Sequence, residues 1–169
     1  MKYIILLFIS LTAFTKDYTV QEGSLTYTVN HPLKTIYATS TNVKGKIDCT
    51  DLECSFLAAT PTKSFVSKDG NRDVKMWHLL KANQFPIITV SGKSNDKNFS
   101  KIQVSIMNKK YFYTDKDFKI KLQDTHAKGF LNIKLSHFDI EQPSLFGFSI
   151  EDQIRVNFDL KLKNTSQGL

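Results

Sequence analysis

Several features that catalysis or membrane spanning would need are scarce in this chain of 169 residues. The longest apolar run, Ile4 to Ile9 with Leu11 just beyond, is far shorter than the roughly 20 residues of a spanning helix. The seven glycines never cluster, which excludes a phosphate-cradling loop. No serine stands in the Gly-x-Ser-x-Gly setting of a hydrolase nucleophile. Nucleotide and hydrolase chemistry therefore have no local signature.

The four histidines also lack a metal-binding arrangement. None pairs as His-x-His or His-x-x-x-His, the spacings that bring two ring nitrogens to one metal from a single element. We therefore predict a protein without catalytic residues, without a metal and without a cofactor. A catalytic site assembled only in three dimensions stays open as an alternative.

The amino terminus has the pattern of a secretory signal. Lys2 supplies the positive start, an apolar centre follows, and Ala13 and Thr15 are small residues suited to cleavage. The pattern predicts a signal peptide over 1–15 and one mature domain over 16–169, a size that suits a single core. We expect a periplasmic or secreted protein.

Export makes the cysteine pair easier to interpret, because disulfides persist in oxidising compartments. Cys49 and Cys54 are the only cysteines, and four residues separate them in a polar stretch that suits the bend of a hairpin. Strands flanking such a bend would place the two side chains opposite each other. We predict a disulfide between them; a zinc site would need further ligands that do not stand nearby.

The formal net charge is +7, and a basic surface suits nucleic acid or anionic lipid headgroups. The lysines stand largely on alternating positions, as at Lys119 and Lys121 or Lys161 and Lys163, which is typical of a solvated strand face. An exported protein meets little nucleic acid. We therefore expect no nucleic-acid partner, while transient contact with a membrane surface remains open, as does the oligomeric state.

Alternation of apolar and polar residues with a period of two dominates the chain after residue 24 and predicts strands with one buried face. It is clearest over 154–162, and an early strand ends at Pro32 because proline cannot donate to a ladder. About eight antiparallel strands follow, which favours closure into a barrel that either fills with side chains or holds one small ligand. The remaining predicted strands cover 37–49, 54–60, 87–93, 102–106, 118–122 and 131–135, with turns at 94–98, 108–110 and 123–125.

The pattern changes over 67–88, where a polar stretch leads into apolar residues at helical spacing. Asp69, Asn71 and Asp73 place side-chain acceptors where the first N–H groups of a helix need them. We predict one short helix whose apolar stripe covers the side or the mouth of the barrel.

Five segments, in this order and spacing, resemble the YceI-like family of secreted lipid-binding β-barrels. They are Ser24–His31, Val43-Lys44-Gly45-Lys46-Ile47, Ser67–Ile88, Ser136–Phe148 and Asp152–Val156. The resemblance implies an all-β fold, an eight-stranded antiparallel lipocalin-like barrel with one short helix near its opening. It also implies that the barrel sequesters or carries an isoprenoid or another lipid-like chain.

On this basis we expect a set of inward-facing residues to bind the ligand. His31 and Arg72 are candidates for contact with a polar head group, although His31 also suits a hydrogen-bonded core position and Arg72 an ion pair at the helix start. The expected ligand-binding residues are Leu25, Tyr27, Val29, His31, Phe65, Arg72, Met76, Leu80, Phe85, Phe138, Ile140, Leu145 and Phe148.

Two other functions remain open at this point. A secreted enzyme with its site inside the barrel would show a titratable cluster in the cavity. A packed β-module that binds another protein would show a filled interior and a contiguous exposed apolar patch.

Overall fold

The computed structural model describes residues 16–95, 98–123, 125–145 and 147–166, so the predicted signal peptide over 1–15 lies outside the described residues. Within them, the alternating segments form strands, and the segment after residue 69 forms one α-helix, α1 (Gly70–Leu79). Two short 3₁₀ helices cover Thr62–Ser64 and Leu135–Phe138. The strands are β1 (Lys16–His31), β2 (Lys34–Ser40), β3 (Lys44–Cys49), β4 (Cys54–Pro61), β5 (Ile87–Ser94), β6 (Lys101–Ile106), β7 (Lys109–Thr114), β8 (Phe118–Gln123), β9 (His126–Lys134), β10 (Ser144–Leu145), β11 (Phe148–Ser149) and β12 (Gln153–Asn164).

Ten of these strands form one antiparallel sheet that curls into a lipocalin-like half-barrel, which confirms the predicted fold class. The strand order is β7-β6-β5-β4-β3-β1-β12-β9-β8, and β2 pairs with β1 beside this path. No ladder joins β7 to β8 among the described residues. The barrel wall is therefore continuous except along these two edges.

The sheet has more than the eight predicted strands for two reasons. The segment 109–114, predicted to begin in a turn, forms β7. The single strand predicted over 37–49 is two strands, β2 and β3, which pair with different halves of β1. The chain breaks between them because the buried hydroxyl of Ser40 accepts the Asn42 amide at 3.2 Å, and Ser40 also bonds the Thr60 and Ser64 hydroxyls at 3.0 and 2.6 Å.

A β-bulge lets the sixteen residues of β1 bury side chains along their whole length. The register with β12 shifts between Val20 and Glu22, which inserts one extra residue. Before the bulge the even-numbered residues Tyr18 and Val20 face inward, and after it the odd-numbered residues Leu25 and Tyr27 do so. Without the extra residue, one half of the strand would present its apolar face to solvent.

Gly129 marks a place where the wall bends sharply enough to exclude any side chain. A Cβ at this position would lie 1.8 Å from the Lys119 carbonyl oxygen on β8 and 2.7 Å from the ring of Phe158 on β12. Backbone and aromatic ring therefore occupy the space that a side chain would need. This close approach contributes to the curl of the sheet between β8, β9 and β12.

The helix begins at an aspartate cap, as its sequence predicted. Asp69 accepts hydrogen bonds from the Asn71 and Arg72 amides at 3.1 and 3.3 Å, which satisfies N–H groups that have no partner inside the helix. The buried carboxylate of Asp73 accepts the Ser67 amide at 2.9 and 3.1 Å through its two oxygens. The segment before the helix is thus tied to the helix itself, which fixes the direction in which α1 leaves the sheet.

The predicted disulfide is present at the turn between β3 and β4. Cys49 and Cys54 are directly opposite in the ladder, with their Cα atoms 4.1 Å apart, and Cys54 is fully buried. The Thr50 amide donates to the Glu53 carbonyl at 2.8 Å and closes the four-residue bend. In the described part of the chain, no helix has the length and apolar character needed to cross a membrane.

Candidate ligand cavity

The half-barrel encloses a cavity of about 590 Å³, within the usual range for a small-molecule site. Its wall is made by the inward faces of nearly every strand of the sheet, with α1 covering one end. The lining from β5, β6 and β8 shows its character: Ile88, Val90, Ile102, Val104, Ile106, Ile120 and Leu122.

The exposure of inward residues changes along β12 because the barrel is hollow towards α1 and filled at its other end. Leu160 and Leu162, near the end of the strand, are buried in a packed cluster with Tyr18 and Ala127. Phe158 and the inward residues before it, Val156 and Ile154, are only half-buried, because each packs against a core cluster and also borders the cavity. The interior is therefore not the filled core that a packed β-module would need.

Charged side chains border the cavity mainly at its α1 end. Lys34 lies just after the β1–β2 turn, and Asp69, Arg72 and Lys75 belong to the start of the helix and its cap. Lys46, on β3, is mostly exposed and pairs with Asp48 at 2.5 Å. The remaining wall is dominated by aliphatic and aromatic carbon, which suits an apolar chain with a polar group at one end.

Nine of the thirteen residues predicted to bind ligand border this cavity. Phe138, the last residue of the second 3₁₀ helix, instead lies fully buried in the core, and Phe85 follows α1, where its carbonyl accepts the Thr62 hydroxyl at 2.9 Å. Phe148 points outward from β11, and the side chain of Leu145 lies outside the described residues. The nine are Leu25, Tyr27, Val29, His31, Phe65, Arg72, Met76, Leu80 and Ile140.

Several lining residues were not in the predicted set although their signal was present. Ile154, Val156 and Phe158 line the cavity, and they belong to the clearest alternating segment of the sequence. Alternation identifies which residues point inward, but it does not say which level of the barrel stays empty. That property depends on how the strands from opposite sides fill the space between them.

His31 is a buried residue whose two ring nitrogens are both occupied by the protein. The Leu33 amide donates to Nδ1 at 3.1 Å, so Nε2 carries the hydrogen and donates to the Phe148 carbonyl, also at 3.1 Å. The side chain lines the cavity through its ring. Its hydrogen bonds serve the two loops beside the opening, and no nitrogen is left for a ligand head group.

Arg72 is likewise engaged, but only in part. Its Nη2 atom donates to Asp69 at 3.1 Å and Nη1 lies 3.5 Å from the Ser67 hydroxyl, while about a quarter of the side chain remains exposed. A guanidinium carries five N–H donors, so donors remain for a ligand acceptor at the opening.

Tyr27 presents a hydroxyl without a hydrogen bond to any of the residues that the structure describes. Burial raises the pKa of Tyr27 to about 12, and the negative charge of Asp73 adds to this shift, against a smaller opposing effect of Arg72. Its ring centroid is 5.5 Å from that of Phe65. A neutral hydroxyl donor is thus held in an apolar wall close to the start of α1.

The described residues contain no group of three or more His, Cys, Asp or Glu side chains that could hold a metal ion. Among the charged groups that border the cavity, Asp69 and Arg72 pair with each other at the helix cap, whereas Lys34 and Lys75 have no ion-pair partner among the described residues. The arrangement can enclose an apolar chain and donate hydrogen bonds to its polar end.

No family model matches the chain, and no curated protein sequence matches it. Solved structures do. A polyisoprenoid-binding domain from Saccharophagus degradans, implicated in plant cell wall breakdown, superposes with a TM-score of 0.68 at 14% identity, over 87% of this chain and 98% of that chain. BcnA from Burkholderia cenocepacia gives a TM-score of 0.62 at 15% identity, over 88% of this chain and 96% of its own.

The chain has the YceI-like fold. The coverage shows that the similarity extends over most of the chain and is not confined to a common substructure. At these identities the similarity establishes the YceI-like fold alone, and the cargo has to be argued from the cavity.

Proposed function

We propose that this protein is an exported carrier that holds an isoprenoid or a similar lipid chain inside the half-barrel, without a covalent step. The observation that carries the proposal is the hollow apolar interior of about 590 Å³ covered by α1. An empty apolar cavity is costly for the protein to maintain, because its lining residues forgo contacts that a filled core would give. A bound hydrocarbon chain restores those contacts.

The polar end of the ligand lies, in this proposal, between Tyr27 and Arg72. Both border the cavity near the start of α1, and both retain hydrogen-bond donors that the described protein does not use. The apolar tail runs along Leu25, Val29 and the other lining residues named above. His31 supports the opening and does not contact the head group, because its nitrogens are occupied.

Export is supported by two independent features. The disulfide between Cys49 and Cys54 is of the kind that persists in the periplasm or outside the cell. The segment over 1–15 has the charge and apolar pattern of a signal peptide. The similarity to a structure described as a polyisoprenoid-binding domain supports the class of cargo.

The test is to purify the protein from its native compartment, extract it with organic solvent and identify the extracted molecules by mass spectrometry. We expect a long-chain isoprenoid or lipid in near-stoichiometric amount. Val156→Glu, which places a carboxylate in the apolar wall, should abolish retention. Asn157→Glu is the matched control, since Asn157 is the next residue of β12 and is exposed on the outer face.

Circular dichroism and a thermal melt show whether each variant is folded. A folded Val156→Glu protein that retains the same cargo as Asn157→Glu would contradict the proposal. So would a native preparation whose extracts contain no apolar molecule.

A further inference from the structure

Two large apolar side chains stand in solvent at the opening of the cavity. Leu33, in the β1–β2 turn, is 60% exposed, and Phe148, on β11, is 52% exposed. Their neighbours border the cavity: His31 and Lys34 on one side, Ser144 and Ile150 on the other. The exposed pair therefore continues the apolar surface of the interior to the outside.

Hydrogen bonds from one buried residue hold the backbone at both positions. The His31 ring accepts the Leu33 amide and donates to the Phe148 carbonyl, so one buried residue joins both loops. A second connection lies beside it, where the Glu151 amide donates to the Asn30 carbonyl and the Asn30 side chain donates to the Glu151 carboxylate, each at 3.1 Å. The backbone at Leu33 and at Phe148 is thus held in place, so the two loops present their exposed side chains from a fixed relative position.

Positive charge flanks the pair. Lys34, next to Leu33 in the chain, and Lys75, on α1, are exposed, border the cavity, and have no ion-pair partner among the described residues. Of two nearby carboxylates, Asp69 is paired with the Arg72 guanidinium, whereas Glu151 accepts a hydrogen bond from the neutral Asn30 amide and keeps its negative charge. Fixed apolar side chains beside unpaired lysines are the combination that binds an anionic lipid surface.

We propose that Leu33, Lys34, Lys75 and Phe148, here called the docking rim, bind the surface of an anionic lipid bilayer. Leu33 and Phe148 insert among the lipids while the two lysines contact the headgroups. His31 acts as a positioning residue for the rim. This inference rests on the proposed function, because it gives the route by which a lipid chain passes between a bilayer and the cavity without crossing water.

The test is co-sedimentation of the cargo-loaded protein with vesicles of phosphatidylglycerol and phosphatidylcholine, compared with vesicles of phosphatidylcholine alone. We expect binding to the anionic vesicles that weakens with salt. Leu33→Ser combined with Phe148→Ser should weaken it at least tenfold. Leu52→Ser is the matched control, since Leu52 is 80% exposed in the β3–β4 turn and does not border the cavity.

Charge reversal separates the contribution of the lysines from that of the two apolar side chains. Lys34→Glu with Lys75→Glu should abolish the preference for anionic vesicles, whereas Lys119→Glu with Lys121→Glu, on the solvated face of β8, should weaken binding less. Each lysine near an anionic surface is expected to contribute about a fivefold effect.

The proposal is overturned if the wild-type protein does not bind anionic vesicles, or if the Leu33 and Phe148 double variant binds as tightly as Leu52→Ser. The cargo content of the wild-type protein is measured separately by organic extraction. Cargo without vesicle binding refutes only the docking rim, while an empty wild-type protein refutes the carrier function itself.

Discussion

The volume of the cavity predicts how binding depends on the length of the bound chain. A group the size of a water molecule takes about 30 Å³ of liquid volume, and a methylene is of similar size, so about 590 Å³ holds roughly 20 carbon-sized groups. That is about four isoprene units. Affinity should therefore rise with each unit up to about this length and then level off, because further carbons remain outside the barrel.

The gain in binding free energy for each added isoprene unit can also be bounded. Full burial contributes about 0.8 kcal/mol per methylene, whereas larger ligands realise only about 0.3 kcal/mol per atom after ordering costs. Each added isoprene unit of five carbons is then expected to contribute roughly 1.5 to 4 kcal/mol, which corresponds to a tenfold to several hundredfold change in Kd.

Competition by a series of prenyl alcohols of increasing length, against a fluorescent lipid, measures both the slope and the length at which it ends. Ala58→Trp adds bulk to the inner wall opposite Val90 and should move the plateau to shorter chains. Ser91→Trp, on the outer face beside Val90, is the control and should leave the plateau unchanged. Equal affinity for short and long chains, or a plateau that Ala58→Trp does not move, would refute the reasoning.

Three further predictions concern stability. Gly129→Ala should lower the free energy of unfolding, measured by urea titration, by at least the 1–3 kcal/mol typical of overpacking, because the added methyl group meets backbone atoms. Gly70→Ala is the control: open space surrounds this position, so the substitution should be neutral or stabilising. Replacing Cys49 and Cys54 by serine should lower the free energy of unfolding by about 2 kcal/mol, from the entropy of the short loop, and leave cargo binding intact because neither residue borders the cavity. Burial raises the pKa of Tyr113 to about 12, so the unfolded chain loses this proton first and stability falls as the pH rises from about 10 to 12. A pH titration followed by tyrosinate absorbance should show tyrosines that ionise above pH 10, and Tyr113→Phe should have one fewer of them. Ionisation of all tyrosines near pH 10 would contradict the raised pKa of Tyr113.

Local patterns were sufficient to predict the class of fold and the disulfide. The alternation of inward residues on β12, the helix cap at Asp69 and the polar bend between Cys49 and Cys54 each depend on residues close in sequence, so their signal survives without coordinates. The boundary between β2 and β3 could not be predicted from local sequence, because it depends on hydrogen bonding of the Ser40 hydroxyl to Thr60, twenty residues away.

The sequence by itself determined which faces are apolar, since a period of two assigns each side chain to one side of a strand. Only the tertiary structure decided what those faces enclose. Phe138 and Phe158 are both inward aromatic residues, yet one fills the core and the other borders empty space. The difference lies in how completely side chains from other strands fill the space around each ring, and no local pattern encodes that packing.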